Sequence, residues 1–95
     1  MIPKEEVDKA IQIAKKYDVE ELYLIGSSLH KEPEEVNDYD FAVRGVPVGG
    51  FFKFYGELFR VMSKNVDLVD LSGKMTKLKN IIIKEGKLIY EKESS

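Results

Sequence analysis

Residues 24–43 read LIGSSLHKEPEEVNDYDFAV. An apolar run closes on Gly26-Ser27, and ten residues later Asp38 and Asp40 flank Tyr39 and lead straight into Phe41-Ala42-Val43. Aspartate is depleted from strands, so two of them at the start of one need a reason. In a strand, residues i and i+2 share a face. Asp38 and Asp40 are therefore expected to project together, with Tyr39 and Phe41 turned to the core on the other side. Neighbouring carboxylates repel, and a proton or a cation between them relieves the repulsion. Magnesium, which takes several oxygen ligands, fits that need, and a pair of such ions is a common clamp for phosphoryl and nucleotidyl transfer. Gly26-Ser27 supplies the complementary feature. Glycine lets a phosphate approach the backbone, and a strand-to-helix turn aims free N–H groups outward beside the serine hydroxyl. A third acid would complete such a site. Asp67 and Asp70 in NVDLVDL, residues 65–71, are the candidates. Three apart in a strand, they face opposite sides, and alternation alone does not choose between them.

The composition narrows what such a site can act on. Ninety-five residues make one small domain with one modest core. The hydrophobic share of 43% is ordinary for a globule, and the charged share of 34% exceeds the usual quarter. There is no cysteine, which excludes disulfides, thiolate chemistry and sulfur-ligated zinc. Thirteen lysines stand beside only two arginines, Arg44 and Arg60, and the net charge is −2. A domain living on phosphate backbones carries a basic surplus, so a nucleic-acid substrate is not expected, whereas a small nucleotide fits. No 18-residue apolar segment or signal-like start is present; the expectation is a soluble cytoplasmic protein with no membrane contact.

Outward from the central stretch, the pattern predicts a helix over 3–17, with Pro3 in its first turn, Glu5 and Glu6 at its positive end, and Val7, Ala10, Ile11 and Ala14 along one face. Asp18 breaks it, and 21–25 reads as a short central strand. A brief helical turn follows through Leu29, then a charged, proline-broken loop. A second strand spans 38–44. Phe51, Tyr55, Leu58, Phe59 and Met62 mark one face of a helix over 51–62, and Phe52 and Phe54 widen its apolar stripe enough to make it a candidate contact surface for a partner. A third strand covers 65–71. Ser72 is the expected N-cap of a last helix with Met75, Leu78, Ile81 and Ile82 on its buried face, Gly86 fits its C-terminal stop, and 88–90 forms a final strand. The fold class is α+β: a small mixed sheet with helices mainly on one face, a single domain over 1–91 and a flexible tail over 92–95.

These residues resemble the minimal nucleotidyltransferases of the DNA polymerase β superfamily. The match runs through GS, ten residues, DYD, then VDLVDL and a terminal IIIKEGKLIYE, and it spans nearly the whole chain. The resemblance implies a polymerase β palm-like core. It assigns magnesium, two ions with manganese able to substitute, to Asp38, Asp40 and Asp67, selecting Asp67 over Asp70 as the third catalytic carboxylate. Nucleotide phosphates fall to Gly26 and Ser27. Members transfer a nucleoside monophosphate, here AMP from ATP, to a hydroxyl. Many are paired with an all-helical HEPN protein as antitoxin to that toxin, in some cases by adenylylating it; the alternative is a non-catalytic subunit that neutralises its helical partner by contact. One departure stands out. The family commonly continues Gly-Ser as RARG, whereas this chain has Ser28-Leu29-His30-Lys31, so a bidentate arginine grip on phosphate is missing. Arg44 shares the face of Asp38 and Asp40 but lies roughly 13 Å past Asp40 at ~3.3 Å per residue, and is read as a rim charge.

Overall fold

The computed structural model describes residues 1–93. Helix α1, Lys4–Lys16, begins directly after Pro3, whose missing N–H suits the start of a helix. Its end is a two-bond cap. Val19 N–H donates to Ala14 O at 3.2 Å and Asp18 N–H to Lys15 O at 3.2 Å, with Asp18 in the left-handed region at φ 59°. This is the Schellman arrangement, with aspartate where glycine is usual. Strand β1, Glu21–Leu24, leads through Gly26 into the short helix α2, Ser27–His30. Past a 3₁₀ turn at Pro33–Glu35 comes β2, Tyr39–Arg44, then α3, Phe51–Val61, β3, Val66–Asp70, α4, Lys77–Glu85, and β4, Lys87–Glu91. Lys64 Nζ donates to the carbonyls of Pro33 and Val36 and pins the loop ahead of β2.

The strands form one mixed sheet in the order β3-β2-β1-β4. β1 is central and antiparallel to both neighbours, while β2 and β3 run parallel. The main core lies on one face, where Leu22, Leu24, Tyr39, Phe41, Val43 and Val66 meet α1 through Val7, Ala10, Ile13 and Ala14, and α3 through Phe54 and Leu58. Lys16 Nζ and Tyr17 OH both donate to Glu57 Oε1, at 2.8 and 2.9 Å, and lock α1 to α3. The second face carries a smaller cluster, Tyr23, Ala42 and Leu71, covered by Ile82 and Ile83 of α4. The expected α+β class, the mixed sheet and the concentration of helices on one face all hold.

Three local expectations are corrected. Thr76, not Ser72, caps α4, its hydroxyl accepting Lys79 N–H at 3.1 Å. Ser72 lies in the preceding loop, where its N–H donates to Asp70 Oδ1 and its carbonyl accepts Lys79 Nζ. The buried side of α4 is Ile82 with Ile83, while Met75, Leu78 and Ile81 are exposed. A run of three isoleucines satisfies more than one helical face, and contact with the sheet decides which is used. On α3, Phe54 is fully buried against Tyr17, whereas Phe52 is 83% exposed and Phe59 52%; one of the two extra phenylalanines is core, the other surface. Gly86 does stop α4, but by close approach: its backbone is extended, and a Cβ there would stand 2.8 Å from Ile82 O and 2.9 Å from Ile25 Cγ2. Of the expected tail, Lys92 is tied to the fold, its N–H donating to Glu20 O and its Nζ pairing with Asp18 at 2.8 Å; residues 94 and 95 lie outside the described residues.

Candidate active site

The second face of the sheet also carries the acids. β2 and β3 pair with Asp40 opposite Asp67 and Val43 opposite Asp70. Paired positions share a face, so Asp67 stands beside Asp40 and Asp70 is on the other side. The parallel register thus puts Asp67, and not Asp70, on the face of Asp40, a placement that alternation alone left open. Asp38 lies exposed just before β2, which starts at Tyr39, and Asp67 is exposed on the edge strand. Asp40 is half-buried in the middle of the group. Tyr39 and Phe41 point to the opposite, main core, as expected.

Gly26 brings the turn onto this group. Its φ of 61° with ψ of −142° is open in practice only to glycine, and a Cβ built on it would stand 3.3 Å from Asp40 Oδ2. Ile25 N–H donates to Asp40 O at 3.0 Å, the last main-chain link from β1 to β2. The first N–H groups of α2 have no partner within the helix and belong to the same turn, together with the half-exposed Ser27. One residue on, Ser28 is completely buried. Its hydroxyl accepts Asp40 N–H at 2.7 Å and donates to Asp38 O at 3.3 Å. Nothing in the local pattern marks Ser28; the contact closes over ten and twelve residues and exists only in the fold.

The electrostatics follow from this packing. Burial first, then the charges of Asp67 and Asp38, raise the Asp40 carboxyl above the usual aspartate range. All three influences disfavour the negative charge, and a cation would offset the two that come from neighbouring carboxylates. The donor set, carboxylates alone, suits a hard divalent cation. Among the described residues no three acidic or imidazole side chains already gather around one point, so the backbone places the acids and their side chains would have to converge on an ion. Arg44 lies on the same face but pairs with Glu21 at 2.6 Å, away from the acids, in keeping with a rim position. Tyr23 OH donates to Glu21 Oε1 at 2.9 Å. Burial and that carboxylate push its phenol up to about 12, so it remains protonated at neutral pH. His30 and Lys31, which stand where an arginine-rich segment would run, are both exposed.

Residues 8–95 match the family described as polymerase beta, nucleotidyltransferase. The chain belongs to that family. Among solved structures, its fold is similar to a chain of the MntA–HepT toxin–antitoxin complex, with a TM-score of 0.69 and 21% identity over 95% of this chain and 74% of that one. A toxin–antitoxin structure with AMP-PNP gives 0.70 and 24%, over 92% of this chain and 74% of the other. A tri-AMPylated Shewanella oneidensis HEPN toxin in complex with MNT antitoxin gives 0.69 and 22%, over 94% and 72%. At these identities the likeness establishes the fold. No curated protein matches the chain in sequence. The family and the neighbouring folds agree with the resemblance to minimal nucleotidyltransferases read from GS, DYD and VDLVDL, and no helix of the described residues is long and apolar enough to cross a membrane.

Proposed function

We propose that this chain is a magnesium-dependent nucleotidyltransferase that moves AMP from ATP to a hydroxyl on a helical protein partner, as the antitoxin of a HEPN/MNT pair. The observation that carries the reading is the pairing of Asp40 with Asp67 on one sheet face, directly under the Gly26 turn. Asp38, Asp40 and Asp67 would hold the metal, and Gly26 and Ser27 the triphosphate. The metal, when bound, neutralises charge on the phosphates and lowers the pKa of an attacking hydroxyl. The chain's own part is placement. The turn brings N–H groups and the Ser27 hydroxyl to the phosphates, and the exposed Asp67 is free to take the proton of the acceptor hydroxyl. That oxygen bonds to the α-phosphorus, the bond to the bridging oxygen breaks, and pyrophosphate leaves. Solved complexes of similar fold with AMP-PNP and with an AMPylated HEPN toxin support the nucleotide and the partner class.

The test is transfer of label from ATP to a purified helical protein of the HEPN class. Label at the α-phosphate should appear on the partner with the wild type and vanish with Asp40→Asn; transfer of γ-label instead would refute nucleotidyl transfer. The exposure of Phe52 and Phe59 on α3 favours a second reading, neutralisation by contact alone. Protection by a transfer-dead Asp40→Asn variant, lost on Phe52→Ala/Phe59→Ala, would select it.

A further inference from the structure

β1 leaves the sheet at Ile25, and its last hydrogen-bonded pair is incomplete. In an antiparallel pair the two residues exchange both N–H···O bonds. Ile25 gives its N–H to Asp40 O at 3.0 Å, but the return bond from Asp40 N–H goes to the side chain of Ser28, at 2.7 Å. The chain has turned away at Gly26, and a hydroxyl occupies the acceptor position that a carbonyl would otherwise fill. The same hydroxyl donates to Asp38 O at 3.3 Å, so one oxygen holds the main chain on both sides of Tyr39. A serine hydroxyl has one donor and two acceptor positions, and both roles are used here.

The anchor is itself fixed. Ser28 is wholly inaccessible, and its carbonyl accepts the N–H of the buried Ile2 at 3.0 Å. From the other side, Tyr39 N–H donates to Asn65 O at 2.8 Å at the start of β3. The Asp38–Asp40 segment is thus clamped between the turn that carries Gly26 and Ser27 and the strand that carries Asp67. Without the hydroxyl, Asp40 N–H would be left next to a void, and the distance between turn and acids would rest on Ile25 alone.

We infer that Ser28 is the positioning residue of the site: its hydroxyl sets Asp38 and Asp40 at a fixed distance from the nucleotide-cradling turn while touching neither metal nor nucleotide. The inference rests on the nucleotidyl-transfer reading for its purpose, and on the two hydrogen bonds for its geometry. Each is tested separately. Amide hydrogen exchange reports the bond itself: in Ser28→Ala the Asp40 N–H should exchange at least tenfold faster, while amides of β1 and α1 keep their protection. Binding of Mn²⁺ in the presence of ATP, followed by electron paramagnetic resonance well below every variant's melting temperature, reports the consequence. Ser28→Ala should bind at least tenfold more weakly. Ser28→Thr, which keeps the hydroxyl but crowds a buried site with a methyl, should lose thermal stability yet bind within about threefold of wild type.

Affinity that follows thermal stability across the variants, or an exposed Asp40 amide with unchanged Mn²⁺·ATP binding, would overturn the positioning role and leave Ser28 a packing residue. An Asp40 amide that keeps its protection in Ser28→Ala would overturn the clamp itself. Wild type that binds no Mn²⁺·ATP would instead refute the nucleotide reading, and the exchange result would still judge the clamp.

Discussion

Asp40→Asn should make the protein more stable while destroying its site. At neutral pH Asp40 sits half-buried opposite Asp67, with Asp38 two residues before it. Neighbouring strands are about 4.8 Å apart, so the Asp40 and Asp67 charges stand roughly 6 Å from each other. Two like charges at about 6 Å repel by about 0.7 kcal/mol at the dielectric of water and by about 2.8 kcal/mol at an effective dielectric of about 20. Asp67 is exposed, which weights the estimate to the lower end. The expected gain on neutralising Asp40 is about 1 kcal/mol, or about 4–8 °C in melting temperature for a domain of this size. The pH dependence has a definite sign. The folded-state carboxyl is raised, by burial and then by Asp67 and Asp38, so the folded protein holds this proton more tightly than the unfolded chain. Stability from this group is full below the ordinary aspartate range and falls as pH rises through the raised value. Asparagine removes that slope. Urea or thermal unfolding with a chelator present, in low salt, at pH 4 and pH 7, measures both quantities, and the gain should shrink in 1 M salt. Adding magnesium and ATP should reverse the order, because ligand binding stabilises only the protein that binds. Equal or lower stability of Asp40→Asn at pH 7, with no difference in the pH slopes, would show that Asp40 and Asp67 do not repel measurably in the folded protein.

Asp67→Asn should abolish transfer of AMP with folding intact, whereas Asp70→Asn, whose carboxylate caps the Ser72 N–H on the other side of the sheet, should keep transfer within a few-fold and cost at most about 1 kcal/mol of stability; a transfer assay with circular dichroism on both variants separates them. Phe54→Ala empties a fully buried position and should cost about 3–5 kcal/mol, while the exposed Phe52→Ala should stay within about 0.5 kcal/mol, as read by denaturant midpoints. Gly86→Ala should destabilise by more than its backbone conformation accounts for, by about 1–3 kcal/mol, since its methyl meets Ile82 O and Ile25. Asp18→Gly should stabilise by about 0.5 kcal/mol in urea unfolding, because glycine adopts the left-handed cap without strain and the ion pair lost with Lys92 is solvent-exposed.

What the sequence makes legible is what depends on neighbours along the chain. Alternation places Asp38 and Asp40 away from Tyr39 and Phe41, and the start and stop signals of α1 lie in Pro3 and Asp18. The choice of Asp67 does not follow from local spacing, because it depends on a parallel register between β2 and β3 across more than twenty residues. The same limit hides Ser28, whose hydroxyl is indistinguishable from that of Ser27 until Asp40 is brought to it. On α3, four aromatics in five residues leave the buried face ambiguous, and two tertiary contacts decide it: Tyr55 OH on Val66 O and Phe54 on Tyr17. On α4, both Ser72 and Thr76 are competent caps, and Lys79, bound to the carbonyls of Ser72 and Lys74, ties the intervening loop down and leaves the cap to Thr76.

The division of the sheet explains how so small a chain supports a costly cluster of acids. Most of the buried core lies on the face shared with α1 and α3, and the face that holds Asp40 and Asp67 adds only the smaller cluster around Tyr23, Ala42 and Leu71, so most of the stability is built away from the acids. On that second face the backbone is fixed where it matters. β3 is bracketed by Tyr39 N–H on Asn65 O and Leu71 N–H on Val43 O, each at 2.8 Å, and β2 is held by Ile25 and Ser28. The side chains are treated differently: Asp40 is half-buried, whereas Asp38 and Asp67 are exposed. Keeping two of the three carboxylates hydrated limits their mutual repulsion, since like charges repel far less in water than in the interior. The rigid main chain then confines the search of the two free carboxylates to a few rotamers. The domain thus tolerates the acids by spreading them, and a bound divalent cation would be the agent that draws them together.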